Sequence, residues 1–255
     1  MRYYVIPNLN ELNQYLELSK EYDLGFEYNE FYVPSLLDDS KKLDLVISAY
    51  YNLKRKGDTL HGVFLDIVLD SQDPWIKEAS LVRVRSSLDI AKTLGCKGVV
   101  FHTNYITWMK DEGYRKRWVE ENKNIYLELI NEYKDLEIYI ENMFDLDPYL
   151  LKELVKEINH ERVGVCLDVA HASISSVPLE VWFNELGPYI KHLHINDNDK
   201  VVDSHQELGM GLIDYDLAFS YINKLGKNVS VLIEIKDYNK TINSINYLKK
   251  KGYLE

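Results

Sequence analysis

The run Leu81-Val82-Arg83-Val84-Arg85-Ser86-Ser87-Leu88-Asp89-Ile90-Ala91-Lys92-Thr93-Leu94-Gly95-Cys96-Lys97-Gly98-Val99-Val100-Phe101-His102 holds both halves of the unit from which the chain is built. Leu81, Val84, Leu88 and Ile90 to Leu94 recur at helical spacing along one face, and Gly95 follows as a stop signal. Three residues on, Gly98 to Thr103 is a short apolar run, the composition of a strand buried on both sides. The alternation continues in both directions. Strands are expected at Arg2 to Ile6, Leu24 to Tyr28, Leu60 to Ile67, Gly98 to Thr103, Leu136 to Asn142, Val163 to Asp168, Ile190 to Asn196 and Val229 to Ile235. Helices are expected at Leu9 to Tyr22, Lys41 to Lys56, Trp75 to Leu94, Gly113 to Tyr133, Pro148 to Ile158, Pro178 to Leu186, Tyr215 to Leu225 and Thr241 to Lys250. Eight β/α units without a linker or a shift in composition predict one closed (β/α)₈ barrel, a single α/β domain over residues 1–255. The alternative is a doubly wound open sheet, but the Gly-rich dinucleotide turn it often carries is missing after the first strand. Gly209-Met210-Gly211 is too short for that turn and follows no strand.

The 255 residues, 46% of them hydrophobic, suffice to fill a core and exclude a disordered or collagen-like chain. Lysine plus arginine number 30 against 41 aspartates and glutamates, a net charge of −11 with no long basic block, which disfavours a protein that holds nucleic acid by charge. Cys96 and Cys166, far apart and each within an apolar run, read as buried thiols of a reducing compartment. The apolar run near the N-terminus is four residues long, too short for a signal-peptide core, and no uncharged stretch approaches a ~20-residue span. A soluble cytoplasmic protein without a membrane partner is expected; nothing here fixes an oligomeric state.

Barrel strands are apolar inside, so an acid or histidine at a strand's C-terminal end needs a partner or a task. His61 lies in Leu60-His61-Gly62-Val63-Phe64, while His102 ends Gly98 to His102 and Glu141 ends Ile138 to Glu141 before Asn142, so three successive strand candidates deliver a histidine, a histidine and a glutamate to one rim. Asp168 and His171 follow on the sixth, His194 on the seventh and Glu234 on the eighth, and the loop after the seventh adds Asp203-Ser204-His205. Four carboxylates (Glu141, Asp168, Asp203 and Glu234) converging on one mouth would repel severely without compensating cations. Divalent metals resolve that conflict, and neutral imidazoles complete the shell without adding charge. His160 reads as a solvated turn residue, and His192, two before His194, as a support or a packed ring. Tyr28, Phe31, Tyr32, Phe64, Tyr105 and Trp108 fall near the same rim, where aromatic faces stack a sugar or an unstacked base.

With these residues in place the sequence resembles the xylose isomerase-like barrel superfamily, which includes metal-dependent sugar and sugar-phosphate isomerases and epimerases and the endonuclease IV type of apurinic-site nucleases. The resemblance is carried by Cys166-Leu167-Asp168-Val169-Ala170-His171-Ala172, by His194-Ile195-Asn196-Asp197, and by Asp203-Ser204-His205 followed by Gly209-Met210-Gly211. It implies a divalent-metal site (Zn, Mn or Mg, one to three ions per chain). The nuclease-type trinuclear set falls on His61, His102, Glu141, Asp168, His171, His194, Asp203, His205 and Glu234, and the mononuclear set of the ketose 3-epimerases on Glu141, Asp168, His194 and Glu234. Two departures stand out. Many relatives have an acid where this chain has Met210, and the basic, DNA-penetrating loop of the nucleases is replaced by Asn29-Glu30-Phe31-Tyr32-Val33-Pro34-Ser35, without a lysine or arginine.

The resemblance thus implies a sugar or sugar-phosphate isomerase or epimerase. Glu141 and Glu234 flank the substrate carbon as catalytic base and acid, and the reaction passes through a metal-stabilised enediolate. Tyr28, Phe64 and Trp108 would bind the substrate, with Lys200, six residues after His194, at the position of a substrate-contacting arginine. The alternative is an endonuclease IV-like multinuclear zinc phosphodiesterase, in which Glu141 bridges metals or orients a hydroxide.

Overall fold

A computed structural model describes residues 1–226 and 228–254. Among the described residues eight strands run β1 Arg2–Val5, β2 Gly25–Tyr28, β3 Thr59–His61, β4 Gly98–His102, β5 Glu137–Glu141, β6 Val163–Asp168, β7 Ile190–Ile195 and β8 Ser230–Ile233. They are hydrogen-bonded in sequence order and β8 returns to β1, a closed barrel. The helices are α1 Leu12–Tyr22, α2 Pro34–Leu37, α3 Ser40–Tyr51, α4 Pro74–Leu94, α5 Glu112–Glu132, α6 Tyr149–Ile158, α7 Val169–Ile174, α8 Leu179–Leu186, α9 Tyr215–Ile222 and α10 Tyr238–Lys251. The eight expected helices are present within a few residues of the expected bounds, and α2 and α7 are additional. No helix among the described residues is long and apolar enough to cross a membrane. The chain gathers into two compact units, one of residues 28–141 and 150–164, the other of residues 1–27, 142–149 and 165 onward.

In the first unit β3, β4 and β5 pair in parallel, with His61 level with Val100 and His102 level with Glu141. Helix α4 shows why the opening run folds as read. Asp73 caps its start by accepting from the Trp75 N–H, Pro74 occupies the first turn, and Gly95 ends it at φ 70° while its N–H and that of Cys96 close back on Lys92 and Ala91. Val84, Leu88, Ala91 and Leu94 are buried. Ser80 and Ser87 are buried on the same helix because their hydroxyls accept the main-chain N–H groups of Val68 and Val63. That answers one expectation with a correction: β3 does not run from Leu60 to Ile67 but ends at His61, and the chain beyond it is held by α4 rather than by a ladder. Gly62 marks the departure, since a Cβ there would stand 2.3 Å from the Phe101 ring.

In the second unit β1 pairs with β2 and β8, and β7 with β6 and β8. Asp168 is level with His194, and His192 with both Cys166 and Ser230. All six residues of β6 are buried, as a strand covered on both faces requires. Asp168 ends that strand and at once caps α7, its carboxylate accepting the His171 N–H at 2.5 Å. The turn Gly209-Met210-Gly211 is a cradle for a protein carboxylate: the Gly209 and Ile213 N–H groups donate to Asp197, and a Cβ at Gly211 would strike Asp197 and Asn198 at 2.3 Å.

Candidate functional site

Two groups of ligand-type side chains form, one in each unit. In the first, His61, His102 and Glu141 end β3, β4 and β5, and their nearest donor atoms lie within 4.8 Å of one another. His61 Nε2 stands 3.2 Å from His102 Nε2. The two face Glu141 Oε2 at 3.6 and 3.3 Å. Phe64 lies almost parallel to the His102 ring, with centroids 4.7 Å apart, and edge-on to His61; Tyr32 packs on Phe64 at 4.8 Å. Asn104 holds this wall in place, donating to the Phe64 and Ile67 carbonyls from a left-handed backbone at φ 49°.

The second group is larger. Asp203 Oδ2 sits 3.2 Å from His171 Nε2 and 3.1 Å from His205 Nε2. Glu234 Oε2 lies 3.6 Å from His194 Nδ1 and 3.9 Å from His205 Nδ1. Asn196 steadies that carboxylate from the end of β7 at 3.4 Å, and the Tyr215 hydroxyl in turn holds the Asn196 carbonyl. Asp168 is fixed by Asn142, whose side-chain oxygen accepts the Asp168 N–H at 2.8 Å and whose NH₂ donates to the Asp168 carbonyl at 3.0 Å.

The donor set fits a divalent cation. His61, His171 and His205 each place Nδ1 on a main-chain carbonyl, those of Gly62, Asn142 and Glu234, at 3.0, 2.9 and 3.0 Å. A neutral ring donating from Nδ1 offers a lone pair at Nε2, the arrangement that orients metal-binding imidazoles. The Nε2 atom of His61 meets His102 Nε2 at 3.2 Å, while those of His171 and His205 face the Asp203 carboxylate at 3.2 and 3.1 Å. A lone pair against a carboxylate repels unless a cation stands between them. Two atoms each ~2.05 Å from a tetrahedral ion lie ~3.3 Å apart, which matches the observed spacing. Asp203 Oδ1 is buried and has no hydrogen-bond partner among the described residues. Without a metal, a proton takes the place: burial pushes His205 down, but Asp203 and Glu234 beside it prevail and raise it to about 10. Burial likewise pushes the Asp203 carboxyl up, and His171 and His205 overcome it and hold it well below the usual carboxylate range.

The expected substrate residues divide. Phe64 stands beside the His61–His102 pair, and Trp108 is exposed on the loop between β4 and α5. Tyr28 is no rim residue: it is buried, packs on Tyr50, and its hydroxyl donates at 2.9 Å to Asp58, which Arg55 pairs. Lys200 borders a cavity of about 230 Å³ with Glu180, Asp214 and Leu217, and none of the ligand residues lines it. His160 accepts the Arg162 N–H in its turn, the bland role expected of it.

Sequence reasoning missed Glu27. This fully buried acid of β2 lies 3.0 Å from His194 Nε2 through Oε1 and 3.1 Å from His192 Nε2 through Oε2. Burial pushes its carboxyl up, yet the two histidines hold it well below the ordinary value. The signal was there to find, since Gly25-Phe26-Glu27-Tyr28 places an acid inside a strand otherwise apolar and aromatic. Asn142 and Asn196 were missed as positioning groups for the same reason: strand-end amides carry no charge to draw notice.

Among curated proteins, an uncharacterized protein of Methanocaldococcus jannaschii is 28% identical over 242 residues, spanning 93% of this chain and 89% of its own. A probable endonuclease 4 of Mycoplasma pneumoniae is 25% identical over 193 residues, 68% of this chain and 65% of its own. Among solved structures, a D-tagatose 3-epimerase-like protein superposes with a TM-score of 0.79 at 21% identity, covering 98% of this chain and 96% of that one. A Thermus thermophilus protein soaked with zinc chloride gives 0.78 at 23% identity, covering 98% and 97%. At these identities the structural likenesses speak for the fold. The family described as xylose isomerase-like TIM barrel matches residues 18–251, and with its closed eight-stranded barrel the chain belongs to that family.

Proposed function

We propose that the chain is a divalent-metal-dependent isomerase or epimerase of a sugar or sugar phosphate, acting by proton transfer next to a carbonyl. The observation that carries this reading is the wall beside His61 and His102. Where a nucleic-acid enzyme of this family would present cations, the loop after β2 presents Tyr32, packed on Phe64, which is stacked on His102. An apolar aromatic face suits the C–H face of a sugar, and a loop without lysine or arginine, in a chain of net charge −11, suits a phosphate backbone poorly. The D-tagatose 3-epimerase-like fold neighbour supports the same class.

In this reading residues 1–255 act as one domain, and the ligand residues are assigned by their match to the family's metal set. Glu141, Asp168, His194 and Glu234 would hold an ion, and His61, His102, His171, Asp203 and His205 would extend the set to two or three. A bound Zn, Mn or Mg would supply Lewis acidity to the substrate's carbonyl and neighbouring hydroxyl. Glu141 would take a proton from one face of the substrate carbon and Glu234 would return one; two imidazoles border Glu141, and Asn196 and His205 border Glu234. Phe64 and Tyr32 would line the substrate's apolar face, and Trp108, exposed on the loop after β4, would contact the sugar. The buried thiols Cys96 and Cys166, which form no disulfide with each other, accord with a cytoplasmic setting.

A second reading, a zinc phosphodiesterase of the endonuclease IV type, is favoured by the Asp203 group, which a one-ion epimerase does not need, and by the curated endonuclease relative. Deuterated water separates the two. An epimerase or isomerase incorporates deuterium beside the carbonyl of its ketose, Glu234→Gln suppresses the exchange, and a duplex with an abasic site stays uncut at physiological salt. Zinc-dependent cleavage of that duplex, with no exchange across a panel of ketoses and ketose phosphates, would reverse the assignment.

A further inference from the structure

Beneath Glu234 lies a set of groups that proton transfer does not use. Glu27, His192, His194 and Ser230 are buried together, on β2, β7 and β8. His192 Nε2 donates to Glu27 Oε2 at 3.1 Å, and His194 Nε2 stands 3.0 Å from Oε1 in an ion-pair contact outside hydrogen-bond alignment; an anion that close favours a proton on Nε2 over a lone pair facing it. The other nitrogen of each neutral ring is then a lone pair. That of His192 receives the Ser230 hydroxyl at 2.7 Å. That of His194, Nδ1, is turned toward Glu234 Oε2 at 3.6 Å.

We infer that Glu27 is a positioning residue of the metal centre: with one oxygen against each imidazole, it favours His194 as the Nε2–H tautomer and presents Nδ1 as the metal-binding atom. The opposite device serves the other ligands, since His61, His171 and His205 donate from Nδ1 to main-chain carbonyls and present Nε2. His194 alone among these four turns the other nitrogen inward, and the Glu27 carboxylate stands 3.0 Å from the nitrogen behind it.

A charge in a barrel interior is costly, and hydrogen-bonding a single ring would need no more than a neutral amide. The two rings stand against different oxygens of Glu27, an arrangement an amide would break by turning its NH₂ toward one of them. The anion also makes the imidazole it holds a stronger ligand. His192 has its place in the same scheme. Locked between Ser230 and Glu27, and edge-on to Tyr4 at 5.7 Å, it prevents the carboxylate from rotating away from His194.

The inference rests on His194 being a ligand, and its test reads the ring as well as the metal. Long-range ¹H–¹⁵N correlation on ¹⁵N-histidine-labelled, chelator-treated wild-type protein should show His192 and His194 both as Nε2–H tautomers. In Glu27→Gln the amide NH₂ must face one ring's N–H, so one of the two rings should change tautomer or protonation. Zinc affinity, measured by competition with a chromogenic chelator, should fall about 10- to 100-fold in that variant. An Nδ1–H tautomer for His194 in the wild type overturns the inference without recourse to any variant. Zinc bound by Glu27→Gln within twofold of wild type overturns it while leaving the metal reading intact. Wild-type protein that binds no zinc overturns both.

Discussion

Replacing Asn142 by alanine isolates the clamp that fixes Asp168. The side chain is fully buried and makes two hydrogen bonds, 2.8 Å to the Asp168 N–H and 3.0 Å to its carbonyl, while its own main-chain oxygen, which receives His171 Nδ1, is untouched by the change. Withdrawing a partner from a buried polar group costs about 1–3 kcal/mol, so two such losses amount to about 2–6 kcal/mol. With an unfolding entropy of about 2.1 cal/mol/K per residue, a chain of this length loses roughly 2 °C in Tm per kcal/mol, so a mid-range loss lowers Tm by roughly 8 °C. Urea titration followed by far-UV circular dichroism, with chelator present so that metal does not enter the balance, measures the loss directly. Zinc competition on the same variant should show weaker binding, because Asp168 is no longer held at the strand end. A stability within about 0.5 kcal/mol of wild type would refute the clamp, since that is the scatter of an ordinary surface substitution.

Glu141→Gln and Glu234→Gln should each lower turnover by about 10²- to 10⁴-fold, the range of general acid–base catalysis, while His160→Ala is silent in the same steady-state assay. Unchanged turnover in both glutamine variants, with metal retained, would remove the catalytic assignment. Saturating the wild type with metal at 100 times Kd should stabilise it by about 2.7 kcal/mol over chelated protein, a rise of roughly 5 °C that differential scanning calorimetry resolves. Phe64→Ala removes the ring stacked on His102 and should raise KM about 2- to 10-fold with a smaller change in kcat, because an aromatic contact contributes about 0.5–1.5 kcal/mol. A fall in kcat alone would place Phe64 in support of His102 rather than against the substrate.

The fold was legible because each unit repeats the same two signals, a helical apolar face with a stop and a short buried run. Helix α4 illustrates the strength of that logic: its apolar face and Gly95 terminator are local chemistry legible in the sequence, and the structure keeps them, adding the Asp73 cap and Pro74 at its start. Where the reading slipped, a tertiary partner had replaced the local rule. Val63 to Ile67 has strand composition, yet the Val63 and Val68 N–H groups are taken by Ser87 and Ser80 of α4, and no strand propensity in the segment reveals acceptors on a helix 24 and 12 residues away. Helix α7 was missed for the reverse reason. Six residues are too few to show a period, and its cap, Asp168, had already been read as the end of a strand.

The site was legible to the extent that it is charged and terminal. Histidines and acids at strand ends stand out against apolar interiors, and the structure gathers His61 with His102 and Glu141, and Asp203 with His171, His205 and, through His205, Glu234. What a linear reading lacks is the direction in which a ring faces. Tyr28 and Phe64 are both aromatic residues at or just beyond strand ends, but Asp58 draws the Tyr28 hydroxyl into the core, while Asn104 holds the Phe64 main chain so that its ring meets His102. The same limit hid Glu27. An acid within a four-residue strand reads as an exception to the apolar pattern until two histidines from β7, 165 and 167 residues later in the chain, are found on its two oxygens. The residues that supply ligands can be found from their own chemistry, whereas those that aim the ligands are defined by what they touch, which is why Glu27, Asn142 and Asn196 required coordinates.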